Sequence, residues 1–296
     1  NVTPDLYDYY LNVESETRTA SFFYVFQFGQ DTIKYGYDKD EKRRLISESL
    51  WINDVLIFSY YTRENKSDFS GVKEISPTLN QDFEGIESVL KYMVNNTALS
   101  DSHPLKKMMK YVSTMLWFRN LEENRYIGYK NKSTDYFDLI FEESVLQEFR
   151  DFLHRCGVEG NLIIKTDSDG VKRLYFDTKT PLPFLKTASS GTKALYTFFY
   201  WYKTASDVSF LFMDEFDAYY HYELAESIVQ LLEKMPDTQV MLTSHNTNLL
   251  SNRIMRPDCY FILTKEKITA LVNATDRELR EGHNLEKLYM SGEFDV

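Results

Sequence analysis

Ser209-Phe210-Leu211-Phe212-Met213-Asp214-Glu215 is an apolar run that ends abruptly in two adjacent carboxylates. Its length, with Ser206-Asp207 before it and the acids after it, predicts a buried strand of a parallel sheet. Side chains alternate along a strand, so Asp214 and Glu215 leave its carboxyl end in different directions. That end is where open α/β sheets place their ligands. Two acids in this position can divide the work of nucleotide hydrolysis. Asp214 would hold Mg²⁺, directly or through water, and Glu215 would orient and activate the attacking water. The same residues also read as a strand followed by a turn that opens with solvated acids.

Two flanking segments favour the first reading. Downstream, Gln239-Val240-Met241-Leu242-Thr243-Ser244-His245 is a second short strand ending in Ser-His, followed by Asn246, Asn248 and a renewed apolar pattern at Leu249-Leu250. A histidine there can reach a terminal phosphate or its attacking water from the neighbouring strand; taken alone, it reads as a polar strand cap. Upstream, Thr187-Ala188-Ser189-Ser190-Gly191-Thr192-Lys193 leads into a helical stretch over Tyr196 to Lys203. Small residues and Gly before a helix leave backbone N–H groups open to an anion, although a plain Ser/Thr cap uses the same letters.

The order of these pieces resembles the C-terminal half of an ABC-type ATPase head of the SMC and OLD kind. Within that resemblance Ser189, Ser190, Gly191, Thr192 and Lys193 correspond to the signature loop, Asp214-Glu215 to the Walker B pair, Asp217 to His221 to the D-loop and His245 to the switch histidine. The chain is similar, closer still, to the bacterial AAA-family ATP/GTP phosphatases of phage-defence loci, whose C-terminal style is matched by Arg280 to Tyr289 and Ser291 to Phe294. The likeness covers residues 180–296 well and 20–60 loosely. It implies an α/β P-loop NTPase head with an antiparallel meander and a helical insertion, with ATP and Mg²⁺ as cofactors and nucleotide sandwiched in a homodimer or higher homo-oligomer. Glu215 and His245 would be catalytic, Asp214 would serve the metal, and residues 189–193 would meet phosphate. The implied role is a sensor or switch subunit of an anti-phage complex that controls a separate, nuclease-like effector. The alternatives are an inactive oligomeric scaffold, an SMC-like DNA-repair ATPase, and a metal nuclease built on Asp214, Glu215 and His245.

One departure from the family pattern is large. No Gly-x-x-x-x-Gly-Lys-[Ser/Thr] occurs in the chain, although that loop cradles the phosphates. Gly191-Thr192-Lys193 lacks the preceding Gly and strand. The chain starts at Asn1 rather than Met, and its first segment resembles the part of this family that comes after the phosphate loop, so the expectation is that the loop lies upstream. The competing expectation is a fold retained without hydrolysis.

At 296 residues, with 43% hydrophobic and 16% aromatic composition, the chain can bury a large core. The net charge of −11 argues against a broad nucleic-acid face, leaving DNA as a partner that charge does not support. Cys156 and Cys259 stand far apart in unlike contexts, which fits a reducing, cytoplasmic compartment better than a disulfide framework. No apolar run reaches membrane-spanning length.

In chain order, residues 1–80 are expected to form the β-rich part of the head, 81–158 a helical insertion, and 159–296 the C-terminal part with the motifs. Ser21–Phe28, Thr32–Tyr37, Leu45–Trp51 and Val55–Tyr61 alternate as a meander. Gln27 there is either a Mg²⁺-contacting Q-loop analogue or a solvent-facing strand residue. Phe83, Ile86, Val89, Leu90 and Met93 recur at helical spacing, as do Leu105, Met108, Met109, Val112, Met115 and Leu116. Ser133-Thr134-Asp135 can cap a further helix through Leu153. Gly160–Thr166 and Val171–Asp177 predict a hairpin around Asp167-Ser168-Asp169-Gly170, an Asp-x-Asp that turn chemistry explains better than a metal. Ala218–Met235 predicts a helix, and Asp258–Leu263 and Ile268–Val272 predict late strands.

Overall fold

Period-two alternation of aromatic and polar residues early in the chain becomes a four-stranded antiparallel meander in the computed structural model. The structure describes residues 11, 14, 16–63, 66–83, 87–119, 125–128, 135–204 and 207–294. The chain divides into two compact units, Asn1–Val112 and Ser113–Val296. In the first, β1 (Thr19–Phe28), β2 (Asp31–Asp40), β3 (Leu45–Ile52) and β4 (Val55–Tyr61) pair in sequence order. Asn53 and Asp54 connect β3 to β4 with φ values of 51° and 63°, as a two-residue hairpin turn requires. Ile33, Leu50 and Phe58 of the meander pack with residues from the succeeding helices, α1 (Val72–Ile75), α2 (Val89–Asn95) and α3 (Pro104–Ser113).

Helix α2 starts later than its apolar spacing predicts, for a reason in the polar contacts. Ser88 accepts from the Lys91 N–H as N-cap, and Glu48, 1% exposed on β3, accepts from the N–H groups of Val89 at 2.6 Å and Leu90 at 3.3 Å. Tyr35 Oη and Ser88 Oγ each donate to the same carboxylate at 2.8 Å. A buried carboxylate thus sits at the positive end of the helix with four donors on it. Phe83 joins the core from outside the helix, and Ile86 lies outside the described residues.

The second unit runs β5 (Met115–Arg119), β6 (Arg125–Gly128), a 3₁₀ helix (Asp135–Phe141), α4 (Glu143–Arg155), β7 (Leu162–Thr166), β8 (Lys172–Phe176), β9 (Leu182–Pro183), α5 (Phe184–Thr187), α6 (Ser190–Thr204), β10 (Phe210–Asp214), α7 (Tyr222–Leu232), β11 (Gln239–Leu242), β12 (Phe261–Leu263), β13 (Ile268–Ala270) and α8 (Leu285–Met290). The main sheet has the order β11-β10-β5-β6, with β10 parallel to both neighbours and β6 antiparallel to β5. Phe149 and Phe152 of α4, Tyr196, Phe198 and Phe199 of α6, and Ile228 and Val229 of α7 share one core with Leu211 and Met213 of β10.

The helical expectation fails at Met115 and Leu116. They extend the spacing of α3 but belong to Met115-Leu116-Trp117-Phe118, a continuous apolar and aromatic run that the sheet takes as a strand, burying Leu116 and Phe118 fully. The stretch expected to be all-helical therefore contributes two strands, β5 and β6, to the sheet that carries β10. The cap expected at Ser133-Thr134 lies outside the described residues; a 3₁₀ helix precedes α4 instead of one continuous helix. No helix among the described residues is long and apolar enough to cross a membrane.

Replacing Glu48 by Ala strands the Val89 N–H and the Tyr35 hydroxyl in the core. The expected loss is about 3 kcal/mol of stability in urea unfolding, since buried donors without acceptors carry their full desolvation penalty. A change within about 0.5 kcal/mol, typical of an exposed position, would contradict the assigned role of this carboxylate.

Candidate functional site

Because β10 lies between two parallel neighbours, its carboxyl end opens on the edge where β5 and β11 also end. Asp214 is the last residue of β10 and is exposed; Glu215 follows with φ of +45°, a left-handed backbone that non-glycine residues seldom adopt. Strand alternation therefore stops at Asp214, and the Glu215 side chain is aimed by this turn. Its Oε1 lies 3.6 Å from Nε2 of His245, which stands just past β11 and is 91% exposed. The strand expected over 209–215 forms over 210–214, and the fold also brings Glu215 beside His245.

One residue ties the two strand ends together, and sequence reasoning passes over it. Thr243 gives its N–H to Met213 O at 3.0 Å and its carbonyl accepts from the Phe216 N–H at 3.1 Å. Its Oγ1 accepts from the Glu215 N–H at 2.8 Å and donates to Asp214 Oδ1 at 2.7 Å. A Thr two residues before the His, where one strand ends beside another that ends in Asp-Glu, is the signal the sequence offers. Next to it Ser244 Oγ donates to Asp217 Oδ2 at 2.8 Å, which pins the turn after Glu215 to the end of β11. That turn delays α7 to Tyr222, four residues later than its apolar spacing suggests. Its Tyr220 packs on the core with its hydroxyl ionisation pushed up by burial.

The Ser-Ser-Gly-Thr-Lys stretch reaches the same turn by a different route. Helix α6 begins at Ser190, and Ser189 Oγ accepts from the Thr192 N–H at 3.1 Å and bonds Thr192 Oγ1 at 2.8 Å. Ser189 is therefore an N-cap, with Ser189 and Ser190 exposed, Thr192 buried, and Lys193 half-buried in the first turn. Gly191 faces the turn after Glu215: a Cβ there would stand 2.8 Å from the Tyr219 carbonyl oxygen. Only Gly permits this approach without backbone movement.

Other candidates have local partners. Gln27 donates to Gly29 O at 2.7 Å and accepts from Thr32 Oγ1 at 2.6 Å, closing the β1-β2 turn. Asp167 accepts from Tyr175 Oη and Arg173, and Asp169 is bidentate with Arg173, which holds the Asp169 carboxyl down at about 2. The Asp-x-Asp turn is thus held by its own hairpin, with Arg173 bonded to both acids. In the terminal segment Arg277 pairs with Glu293 and Arg280 with Glu278, while Asn252 Nδ2 donates to the carbonyls of Arg280, Glu281 and His283.

Among the described residues no three His, Cys, Asp or Glu side chains gather to hold a metal ion. A Mg²⁺ at this edge would take Asp214 as its one protein carboxylate and complete its shell with water and phosphate oxygens, which is this ion's usual habit. The exposed Asp214 carboxylate fits that role. The phosphate side has its cap Ser189 engaged with Thr192, and the 296 residues contain no Gly-x-x-x-x-Gly-Lys-[Ser/Thr].

A sheet with a central parallel strand, the helices packed on it, and an antiparallel meander in the other unit make up an α/β fold of the P-loop-NTPase-like AAA class. The chain belongs to the family described as "AAA domain, putative AbiEii toxin, Type IV TA system", which matches residues 4–251. It is similar to an SMC head bound to the C-winged helix domain of ScpA, at 12% identity over 78% of this chain and 67% of that one, TM-score 0.37. It is similar also to the SMC head domain from Thermotoga maritima, at 14% identity over 79% and 67% of the two chains, TM-score 0.33. No curated protein matches the chain.

Gly191→Ala is expected to lower stability by about 1–3 kcal/mol, because the added methyl meets a backbone oxygen that must move. Ser189→Ala is expected to lose about 1 kcal/mol with the cap, and Ser190→Ala to stay within about 0.5 kcal/mol. Thermal unfolding of the three variants checks the order; Gly191→Ala as mild as Ser190→Ala would contradict the close approach to Tyr219.

Proposed function

We propose that the chain is the catalytic-acid part of a Mg²⁺-dependent ATPase head that dimerises around nucleotide. The observation that carries this reading is the grouping of Asp214, Glu215 and His245 at the carboxyl edge of a parallel sheet, in a chain of the AAA-domain family. Asp214 would hold the metal, which supplies charge neutralisation for the transferred phosphoryl group. Glu215 would accept a proton from the attacking water, and His245 would donate a hydrogen bond toward the developing charge. Ser189, Ser190 and Gly191, at the start of α6, would meet the phosphates bound on a second copy, so hydrolysis would depend on assembly. The reading requires a phosphate loop from outside these 296 residues.

The family description names a toxin of a toxin-antitoxin system, which supports a place in phage defence. In the proposed setting, nucleotide-driven dimerisation of a cytoplasmic head switches a separate effector, and the chain's net charge of −11 supports a protein partner over DNA. A second reading is a scaffold that oligomerises without hydrolysis, which would hold for a protein that has no phosphate loop at all.

Hydrolysis of Mg-ATP by the full-length protein, measured across protein concentrations, tests the choice. Turnover that rises faster than linearly with concentration, and falls about a hundredfold or more in Glu215→Gln while ATP still binds, is expected for a lost catalytic base. Neither binding nor turnover in the wild type would leave the scaffold.

A further inference from the structure

Thr243 is bonded to the Walker-type edge through every polar group it has. Its backbone N–H and carbonyl close the β10-β11 ladder onto Met213 and Phe216, on either side of the two acids. Its hydroxyl then does two things with one oxygen: a lone pair takes the Glu215 N–H and the single proton goes to Asp214 Oδ1. The Thr243 carbonyl takes the N–H of Phe216, and the Thr243 hydroxyl takes the N–H of Glu215 just before it, where φ of +45° ends the strand. A left-handed non-glycine residue persists only where surrounding bonds hold it, and Thr243 Oγ1 provides one such bond at the amide of the turned residue. The other half of the bridge fixes one carboxylate oxygen of Asp214, which orients its second oxygen.

We infer that Thr243 is a positioning residue that sets the Asp214 carboxylate and the Glu215 backbone together, so that metal holding and water activation are established by one hydroxyl. This deepens the ATPase reading and rests on it. Thr243 touches no reacting atom; it acts through the two acids. The bridge also explains why the residue is a hydroxyl one. Val has the same shape but neither accepts from Glu215 nor donates to Asp214, while Ser keeps both bonds and loses only a methyl group.

The test compares full-length wild type, Thr243→Val and Thr243→Ser by two readouts. The first needs no ligand: amide exchange of the 214–219 segment is expected to speed up about tenfold in Thr243→Val, the equivalent of one lost hydrogen bond. The second is a Mg²⁺ titration of ATP turnover. Thr243→Val is expected to need about 10–100-fold more Mg²⁺, the usual consequence of losing the partner of a metal-holding carboxylate. Its KM for ATP at saturating Mg²⁺ is expected to hold within about twofold, since the hydroxyl's bonds go to Glu215 and Asp214. Thr243→Ser is expected to track the wild type in both. An active wild type whose Val variant has unchanged exchange and unchanged Mg²⁺ demand overturns the positioning role and leaves the ATPase reading standing. A Val variant that loses turnover with Mg²⁺ demand and exchange unaltered also overturns it. A wild type that does not hydrolyse ATP removes the reading itself and this role with it, which the wild-type arm alone reveals.

Discussion

The backbone at Glu215 governs the site. An ordinary strand would send Asp214 and Glu215 to opposite faces of the sheet and continue its ladder; the left-handed turn at Glu215 ends the strand and brings that side chain within 3.6 Å of His245. The turn is held from the neighbouring strand by Thr243 and one residue later by the Phe216 N–H to Thr243 carbonyl bond. It is anchored also by Phe216, which is 1% exposed in the core. The same turn presents Tyr219 to Gly191, so the start of α6 and the acidic edge share a piece of backbone.

Burial in the second unit supplies the rigidity this needs. Four aromatic side chains, Phe149, Phe152, Phe198 and Phe199, interlock between α4 and α6 with ring centres 5.0–6.4 Å apart among the contacting pairs. Leu211 and Met213 of β10 point into the same cluster, alternating with half-buried Phe210 and Phe212. A strand buried on one face and paired on both sides offers a fixed platform, with Asp214 its last residue and Glu215 just past it.

Much of this is legible in the sequence where one signal dominates. Period-two alternation with Gly29 and Asn53-Asp54 turns marks the meander, and a short apolar run ended by acids marks β10. Legibility fails where two signals compete. Met115 and Leu116 satisfy helical spacing and also open an aromatic strand run, and only pairing with β10 decides between them. The late start of α2 depends on Glu48, about forty residues upstream, which no local pattern around Ser88 reveals. Thr243 leaves only the faint signal of its place two residues before His245, for a similar reason: its hydroxyl matters through residues about thirty positions away, brought alongside by the parallel pairing of β10 and β11. The Ser189 cap and the Gly191 contact give the Ser-Ser-Gly-Thr letters a part in the fold itself, which the sequence alone does not separate from a ligand role.

The central claim, that the carboxyl edge of β10 is where nucleotide chemistry takes place, is tested most directly by an experimental structure of the full-length Glu215→Gln protein with Mg-ATP. The account predicts a metal ion at Asp214, the terminal phosphate facing residue 215 and His245, and Ser189 to Gly191 of a second copy against the same phosphate. Nucleotide bound elsewhere on the chain, with the edge formed by Asp214, Gln in place of Glu215, and His245 facing only solvent, would contradict it.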